Sequence, residues 1–332
     1  MKIDYKDEIE YQNIDINQLR PNKSYDYLIE NRNASLKDVL EDEEKLNEFL
    51  IERDCPCCRS GDYSFLYSKD NLKIVQCNEC DIVYVNPVFD DDKYQEIYRS
   101  EDYQKIVKRL GEDSHLYRKQ RFGAERVSVI DKFHDPKLPK TLFEVGCSTG
   151  FVIEEAIERG WTATGVELNP SAAAFAQERG LPVVSAPVEE FEADEPFSAV
   201  AMYDVLEHLI NPMELLNNVV SMMQKGGALY IYVPNYNSAS RQLLGNDNSH
   251  FIWPTHHLTY FTPDTLKGFL ERAGLEVFHW ETQGLDLNDW MWFLDEKTDH
   301  NTDLVKENLE TLQFYINAAG HGKNLRMYAR KV

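Results

Sequence analysis

Apolar and polar positions follow two rhythms along this chain, and the change falls near residue 140. From Thr141 onward, short apolar runs alternate with helix-length amphipathic stretches. "TLFEV" reads as a strand and "FVIEEAIERG" as a helix closed by Gly160. "WTATGVE" is the next strand. "NPSAAAFAQERG" is a helix with Asn169 as N-cap, Pro170 at its first position and Gly180 at its end. "LPVVSA" and "FSAVAMY" follow as strands, and "NPMELLNNVVSMMQKGG" repeats the Asn-Pro helix start. "ALYIYV" is a fifth strand, "TPDTLKGFLERAG" a capped helix, and "LEVFHW" and "LRMYARKV" close the series. Strands alternating with helices of this length predict an α/β domain over 140–332, with a mostly parallel sheet and helices on both faces. Ligands of such sheets sit beyond the carboxyl ends of the central strands.

Upstream the rhythm differs. Residues 1–54 carry 8 Lys/Arg against 15 Asp/Glu. They read as a polar arm with one surface helix, "SLKDVLEDEEKLNEFLIERD", N-capped by Ser35. Residues 55–89 are short strands and turns. Residues 90–139 are charged, helical and rich in Tyr, Arg and Lys, and suit a connector or lid.

Composition narrows the function. The chain has 332 residues, of which 42% are hydrophobic, enough for about two domains. A net charge of −22 repels phosphate backbones and argues against nucleic acid as a partner. No apolar run approaches membrane-spanning length, and "MKIDYKDEIEYQ" has no signal-peptide core, so the expectation is a cytoplasmic protein with no membrane partner.

Five of the six cysteines cluster in "CPCC" and "CNEC". Cys55-x2-Cys58, eighteen residues and Cys77-x2-Cys80 match a four-cysteine zinc ribbon, with a structural zinc and Cys57 as a bystander that could replace Cys58. The sixth, Cys147, has no basic neighbour in sequence and is not read as a nucleophile.

Cys147 belongs to the turn Gly146-Cys147-Ser148-Thr149-Gly150 after the first long strand. Two glycines spaced G-x-x-x-G fit neither the dinucleotide fingerprint nor a triphosphate loop. Glu144, just before the turn, would repel a pyrophosphate but suits a cationic ligand. Glu167 ends the next strand, where a carboxylate can accept hydrogen bonds from ribose hydroxyls.

"FEVGCSTG", "GVELNP", "YDVLEHLINP", "GGALYIYVPN" and "HHLTYFTPDTLKGFLERAGLEV" occur in this order. Together they resemble the motifs of class I S-adenosylmethionine (SAM)-dependent methyltransferases of small molecules. The resemblance covers about 140–332. It implies a Rossmann-like seven-stranded sheet whose last strand is antiparallel, beside the small N-terminal zinc ribbon. It also implies SAM as cofactor. Glu144, Gly146, Ser148 and Gly150 would surround its methionine end, Glu167 would hold its ribose, Val188 and Glu189 would flank its adenine, and Tyr203 and Asp204 follow the fourth strand; Cys147, Thr149, Phe151 and Leu168 are further cofactor-binding candidates. Relatives often carry Gly where Ser148 stands; serine suits the position if its φ is negative. "DIVYVNP" resembles zinc-ribbon leaders of methyltransferases in bacterial sugar and polysaccharide pathways. Sugar C-methyltransferases join such a leader to a further C-terminal domain, and this sequence stops at the expected last strand.

Methyl transfer to a hydroxyl needs alignment and a base. His208 follows the fourth strand, and His256, His257 and Tyr260 follow the fifth, all at the same edge; His256 or His257 is the favoured base. Asp204, Glu207 and His208 resemble the acid-x-x-Glu-His set with which ubiquinone-pathway O-methyltransferases bind a divalent cation. The sequence thus predicts a methyltransferase acting on a small polar acceptor, such as a nucleotide sugar or glycan precursor. An O-methyltransferase of another metabolite or a peptide stays open. So does a catalytically silent scaffold whose ribbon binds a partner protein.

Overall fold

The computed structural model describes residues 14–19, 21, 33–100, 104, 111–297 and 301–332. Among these residues thirteen strands form three sheets: β1 Leu50–Ile51, β2 Tyr63–Lys69, β3 Leu72–Cys77, β4 Val83–Val85, β5 Val88–Phe89, β6 Thr141–Val145, β7 Thr162–Val166, β8 Val183–Val184, β9 Phe197–Tyr203, β10 Met223–Pro234, β11 Thr259–Tyr260, β12 Leu275–Gln283 and β13 Asn324–Lys331. The longer helices are α1 Asp91–Arg99, α2 Ala124–Phe133, α3 Phe151–Glu158, α4 Pro170–Glu178, α5 Pro212–Ser221, α6 Ala239–Asn248, α7 Pro263–Arg272, α8 Asp286–Lys297 and α9 Leu309–Ala318.

The main sheet has seven strands in the order β12-β13-β10-β9-β6-β7-β8. Strands β10, β9, β6, β7 and β8 run parallel, and β13 runs antiparallel between β10 and β12. This is the Rossmann-like sheet expected, last strand included. Strand alternation loads both faces. Leu229, Ile231 and Val233 of β10 join Phe143 and Val145 against α5 and α7. Ala228, Tyr230 and Tyr232 join Leu142 and Ala201 against α2, α3 and α4. Asn169 caps α4, its side chain accepting from the amides of Ser171 and Ala172, and Thr262 closes a capping box with Thr265 on α7.

Four expectations change. Residues 33–54 are not one surface helix capped by Ser35. A 3-10 turn, Ala34–Leu36, runs into Lys37–Leu40, and a second helix, Glu43–Glu48, is capped by Asp42. Leu36, Leu40 and Leu46 are buried against the ribbon, and two short turns satisfy that packing better than one straight helix. The "ALYIYV" strand extends back through Met223, across a bulge, and "LPVVSA" shrinks to Val183–Val184. Asn211, unlike Asn169, makes no side-chain cap. Of the rest of the N-terminal arm, residues 14–19, with the short helix Ile16–Leu19, and residue 21 are described; the others lie outside the described residues.

The second sheet is the ribbon. Its meander β2-β3-β4 takes a fourth strand, β11, from between β10 and α7, pairing Thr259 with Tyr84 and Tyr260 with Val83. The ribbon therefore shares backbone hydrogen bonds with a segment of the α/β part of the chain that lies beside the end of β10, where Asn235 bridges Phe261. Among the described residues no helix is long and apolar enough to cross a membrane.

Candidate active site

The turn after β6 is built for close approach. Gly146 has φ +68, and a Cβ there would lie 2.8 Å from Val205 Cγ2, so only glycine fits. Ser148 has φ +50, outside the negative range in which serine would suit the position. The left-handed conformation is retained, and its amide donates to Glu167 Oε2 at 2.7 Å. The other Glu167 oxygen accepts from the Asn169 amide, also at 2.7 Å. Glu167 thus holds the loop while each oxygen retains a lone pair for a ribose hydroxyl. Burial raises its carboxyl, and these amides oppose the shift. Glu167→Ala should weaken binding of SAM and of its demethylated product, S-adenosylhomocysteine (SAH), by about 1–3 kcal/mol or more, because charge-assisted hydrogen bonds and loop support go together. Calorimetry checks this; unchanged SAH affinity, or preferential NAD binding, contradicts the reading.

Glu144 is buried, and its Oε2 has no hydrogen-bond partner among the described residues. Burial pushes its carboxyl up to about 8, against the pull of Arg126. An orphaned acid beside this loop fits the cationic amino group of SAM. Sequence reasoning missed Arg126. It lies on α2, its guanidinium 4.1 Å from the Tyr203 ring centroid, 5.1 Å from that of Tyr232 and 5.3 Å from that of Phe151. No motif marks it; only the fold brings it to the carboxyl edge. Cys147 is buried and its thiol is pushed far up by burial, which removes it as a nucleophile. Leu168 is exposed. Val188 points into the core, and Glu189 is exposed in the 3-10 turn after β8.

Past β9, Asp204 is exposed at φ +58, and a 3-10 turn carries Leu206–His208. Glu207 is 1% exposed, and neither carboxylate oxygen has a hydrogen-bond partner among the described residues. Burial pushes its carboxyl well above the usual range, and Asp204 adds to the shift. His208 Nε2 stands 3.8 Å from Glu207 Oε1, and the His208 and His257 rings meet edge to face at 4.9 Å. Ligand atoms of Glu207, His208 and His257 lie within 4.8 Å of one another. Asp204, expected in such a set, is outside it, and His257 takes its place. Each imidazole has its Nδ1 against a backbone carbonyl, His208 on His256 at 3.0 Å and His257 on Phe251 at 2.7 Å. A carbonyl accepts only, so each Nδ1 carries the hydrogen and each Nε2 a lone pair. Burial lowers the pKa of His208, which keeps it neutral. His256 is buried, stacked on Trp253 at 3.9 Å with Nδ1 on Thr255 Oγ1 at 2.9 Å. Tyr260 lies in β11, its ring 5.7 Å from Tyr236.

The ribbon supports this edge. Arg53 donates to the carbonyls of Val85, Ile210 and Leu258. The Leu258 amide donates to the Glu207 carbonyl at 2.6 Å. In the ribbon itself, Cys55, Cys58, Cys77 and Cys80 converge, with Cys55–Cys80 and Cys58–Cys77 sulfurs 3.5 Å apart. Tetrahedral zinc with Zn–S bonds of about 2.3 Å places its sulfurs about 3.8 Å apart, so the set fits zinc. Both knuckles turn alike, through Arg59 and Asp81 at positive φ. Cys57 lies outside the set.

A family model described as "Methyltransferase domain" matches residues 98–279, more than half of the chain. The ubiquinone biosynthesis O-methyltransferase of Pseudomonas entomophila (strain L48) is 29% identical over 166 residues, spanning 46% of this chain and 68% of that protein. Its counterpart in Stutzerimonas stutzeri (strain A1501) is 26% identical over 165 residues, spanning 46% and 71%. Among solved structures, the 1,6-didemethyltoxoflavin-N1-methyltransferase of Burkholderia thailandensis aligns at a TM-score of 0.47 and 15% identity, covering 81% of this chain and 99% of that one.

Proposed function

This chain belongs to the methyltransferase domain family and is a SAM-dependent methyltransferase; on that premise we propose that it methylates a hydroxyl oxygen of a small polar molecule. The observation that carries the proposal is the Glu207–His208–His257 cluster at the carboxyl edge of the sheet, Glu207 buried and both histidines half-buried. SAM, when bound, supplies a methyl group on an electrophilic sulfonium. A hydroxyl attacks it well only once its proton is removed. His257 is assigned to accept that proton. His208 packs against its ring, and His256 supports His208 through its carbonyl. The two curated relatives named above are O-methyltransferases by name, which supports oxygen as the acceptor atom.

A second reading has its own observation: two imidazole lone pairs converge on the buried Glu207 carboxyl, which gives up its proton when a cation binds. Glu207 and two imidazoles oriented by carbonyls suit a divalent cation, the partner pattern that orients metal-bound histidines. Such a cation would lower the pKa of a hydroxyl beside it.

One experiment separates these outcomes. The protein is incubated with SAM and a panel of nucleotide sugars, glycan precursors and phenols, with and without EDTA, and products are located by mass spectrometry and NMR. O-methylation insensitive to EDTA supports His257 as base, and O-methylation abolished by EDTA and restored by a divalent cation supports the second reading. Methyl groups found only on carbon or nitrogen overturn the proposal.

A further inference from the structure

The short helix His115–Arg118 sends its first side chain into the cofactor loop. His115 is 3% exposed. Its Nδ1 lies 2.9 Å from Thr149 Oγ1, its Nε2 2.8 Å from Glu154 Oε2 on α3, and its ring 5.3 Å from Phe175 on α4. One imidazole thereby ties a segment upstream of the sheet to the loop and to both helices that flank it. Thr149 is fully buried and follows Ser148, whose amide Glu167 holds.

The proton positions follow from Glu154. Burial raises its carboxyl, but hydrogen bonds from His115 and Arg179, with Lys119 nearby, outweigh burial and hold it at about 2. The ionised carboxylate accepts from Nε2–H. Nδ1 then carries the lone pair, and the Thr149 hydroxyl donates to it. Neighbouring contacts run the same way. Gly123 packs so close to the Phe151 carbonyl that a Cβ would stand 3.0 Å from it. Asn169, which caps α4, donates to Gln104 Oε1 at 3.0 Å. Arg126, farther along the same strip, covers Tyr203 and Phe151.

We propose that His115 is a positioning residue for the cofactor: through Thr149 it latches residues 111–123 onto the glycine loop, so that SAM and SAH exchange only when the latch opens. The inference rests on the cofactor half of the reading above and not on the acceptor, so its test needs no acceptor.

SAH affinity and dissociation rate are measured on the full chain for Thr149→Val, Thr149→Ser, His115→Ala and the double variant Thr149→Val/His115→Ala. A single buried hydrogen bond corresponds to about threefold to tenfold weaker SAH binding for Thr149→Val and for His115→Ala, expressed mainly as faster dissociation. Thr149→Ser keeps the hydroxyl and should bind SAH more tightly, and release it more slowly, than Thr149→Val. The double variant should bind no more weakly than the weaker single one, because both changes remove the same contact. Additive losses, a Thr149→Ser variant as weak as Thr149→Val, or unchanged dissociation throughout would each overturn the latch. If His115→Ala does not fold, the Val/Ser pair at Thr149 decides alone: equal dissociation rates for the two refute it, and a faster rate for Val alone upholds it.

Discussion

His257→Ala should lower turnover about 10²- to 10⁴-fold, the usual contribution of a positioned base, while SAH affinity stays near that of the wild type. The two effects separate because the proposed cofactor contacts, Glu167 and the turn after β6 that it anchors, lie elsewhere. His257 holds its proton on Nδ1 against the Phe251 carbonyl, so removing the ring costs the site its lone pair without disturbing the loop at Ser148. His256→Ala should act differently. That ring stacks on Trp253, and its service to His208 comes from the backbone carbonyl, which alanine keeps. A smaller loss is expected there, from looser packing of the segment. Glu207→Gln keeps the shape and removes one ligand of the cluster, so turnover should fall where EDTA abolishes it and stay near the wild type where His257 is the base. Full turnover in His257→Ala, with methyl transfer shown to be rate-limiting, would remove the histidine from the chemistry.

Cys77→Ser should release the zinc, unfold the ribbon and abolish most turnover, yet leave SAH binding largely intact. Zinc in such sites supplies about 10–16 kcal/mol of apparent binding energy, much of it folding energy. Cys77 is fully buried at the end of β3, and without a fourth thiolate the two knuckles lose their common centre. The damage should travel to the active site through named bonds. Strand β4 holds β11, the Val85 amide holds the Leu258 carbonyl, and the Leu258 amide holds Glu207. Metal analysis, near-UV circular dichroism and SAH calorimetry on the same preparation test this. A zinc-free, folded and fully active Cys77→Ser protein would show the cluster to be dispensable.

The main sheet was legible because parallel strands buried on both faces read as near-continuous apolar runs, and β6, β9 and the second half of β10 are such runs. Asn169, Thr262 and the two cysteine pairs were legible because their roles are local in sequence. Helices α6 and α9 were not. Ala239–Asn248 is short, polar and interrupted at Gly245, and Leu309–Ala318 leaves Leu312 and Tyr315 exposed. Ser148 misled because the turn imposes its φ and the Glu167 carboxylate anchors it there. The histidines and Glu207 could be assigned to one edge, but choosing His257 over Asp204 required the path of residues 250–258, which no motif encodes. His115, Arg126 and Arg53 sit in charged stretches that look like solvated surface until the sheet gathers them.

The pairing of β11 with β4 also sets an order of events in biosynthesis. Tyr84 leaves the ribosome long before Thr259, its partner, and pairings so distant in sequence form slowly. Until residue 260 has emerged, the nascent ribbon carries an open edge at β4, a template for pairing with other chains. A fragment ending before β11 should therefore aggregate or recruit chaperones during translation even with zinc in supply, whereas one extended through Tyr260 can close its own edge.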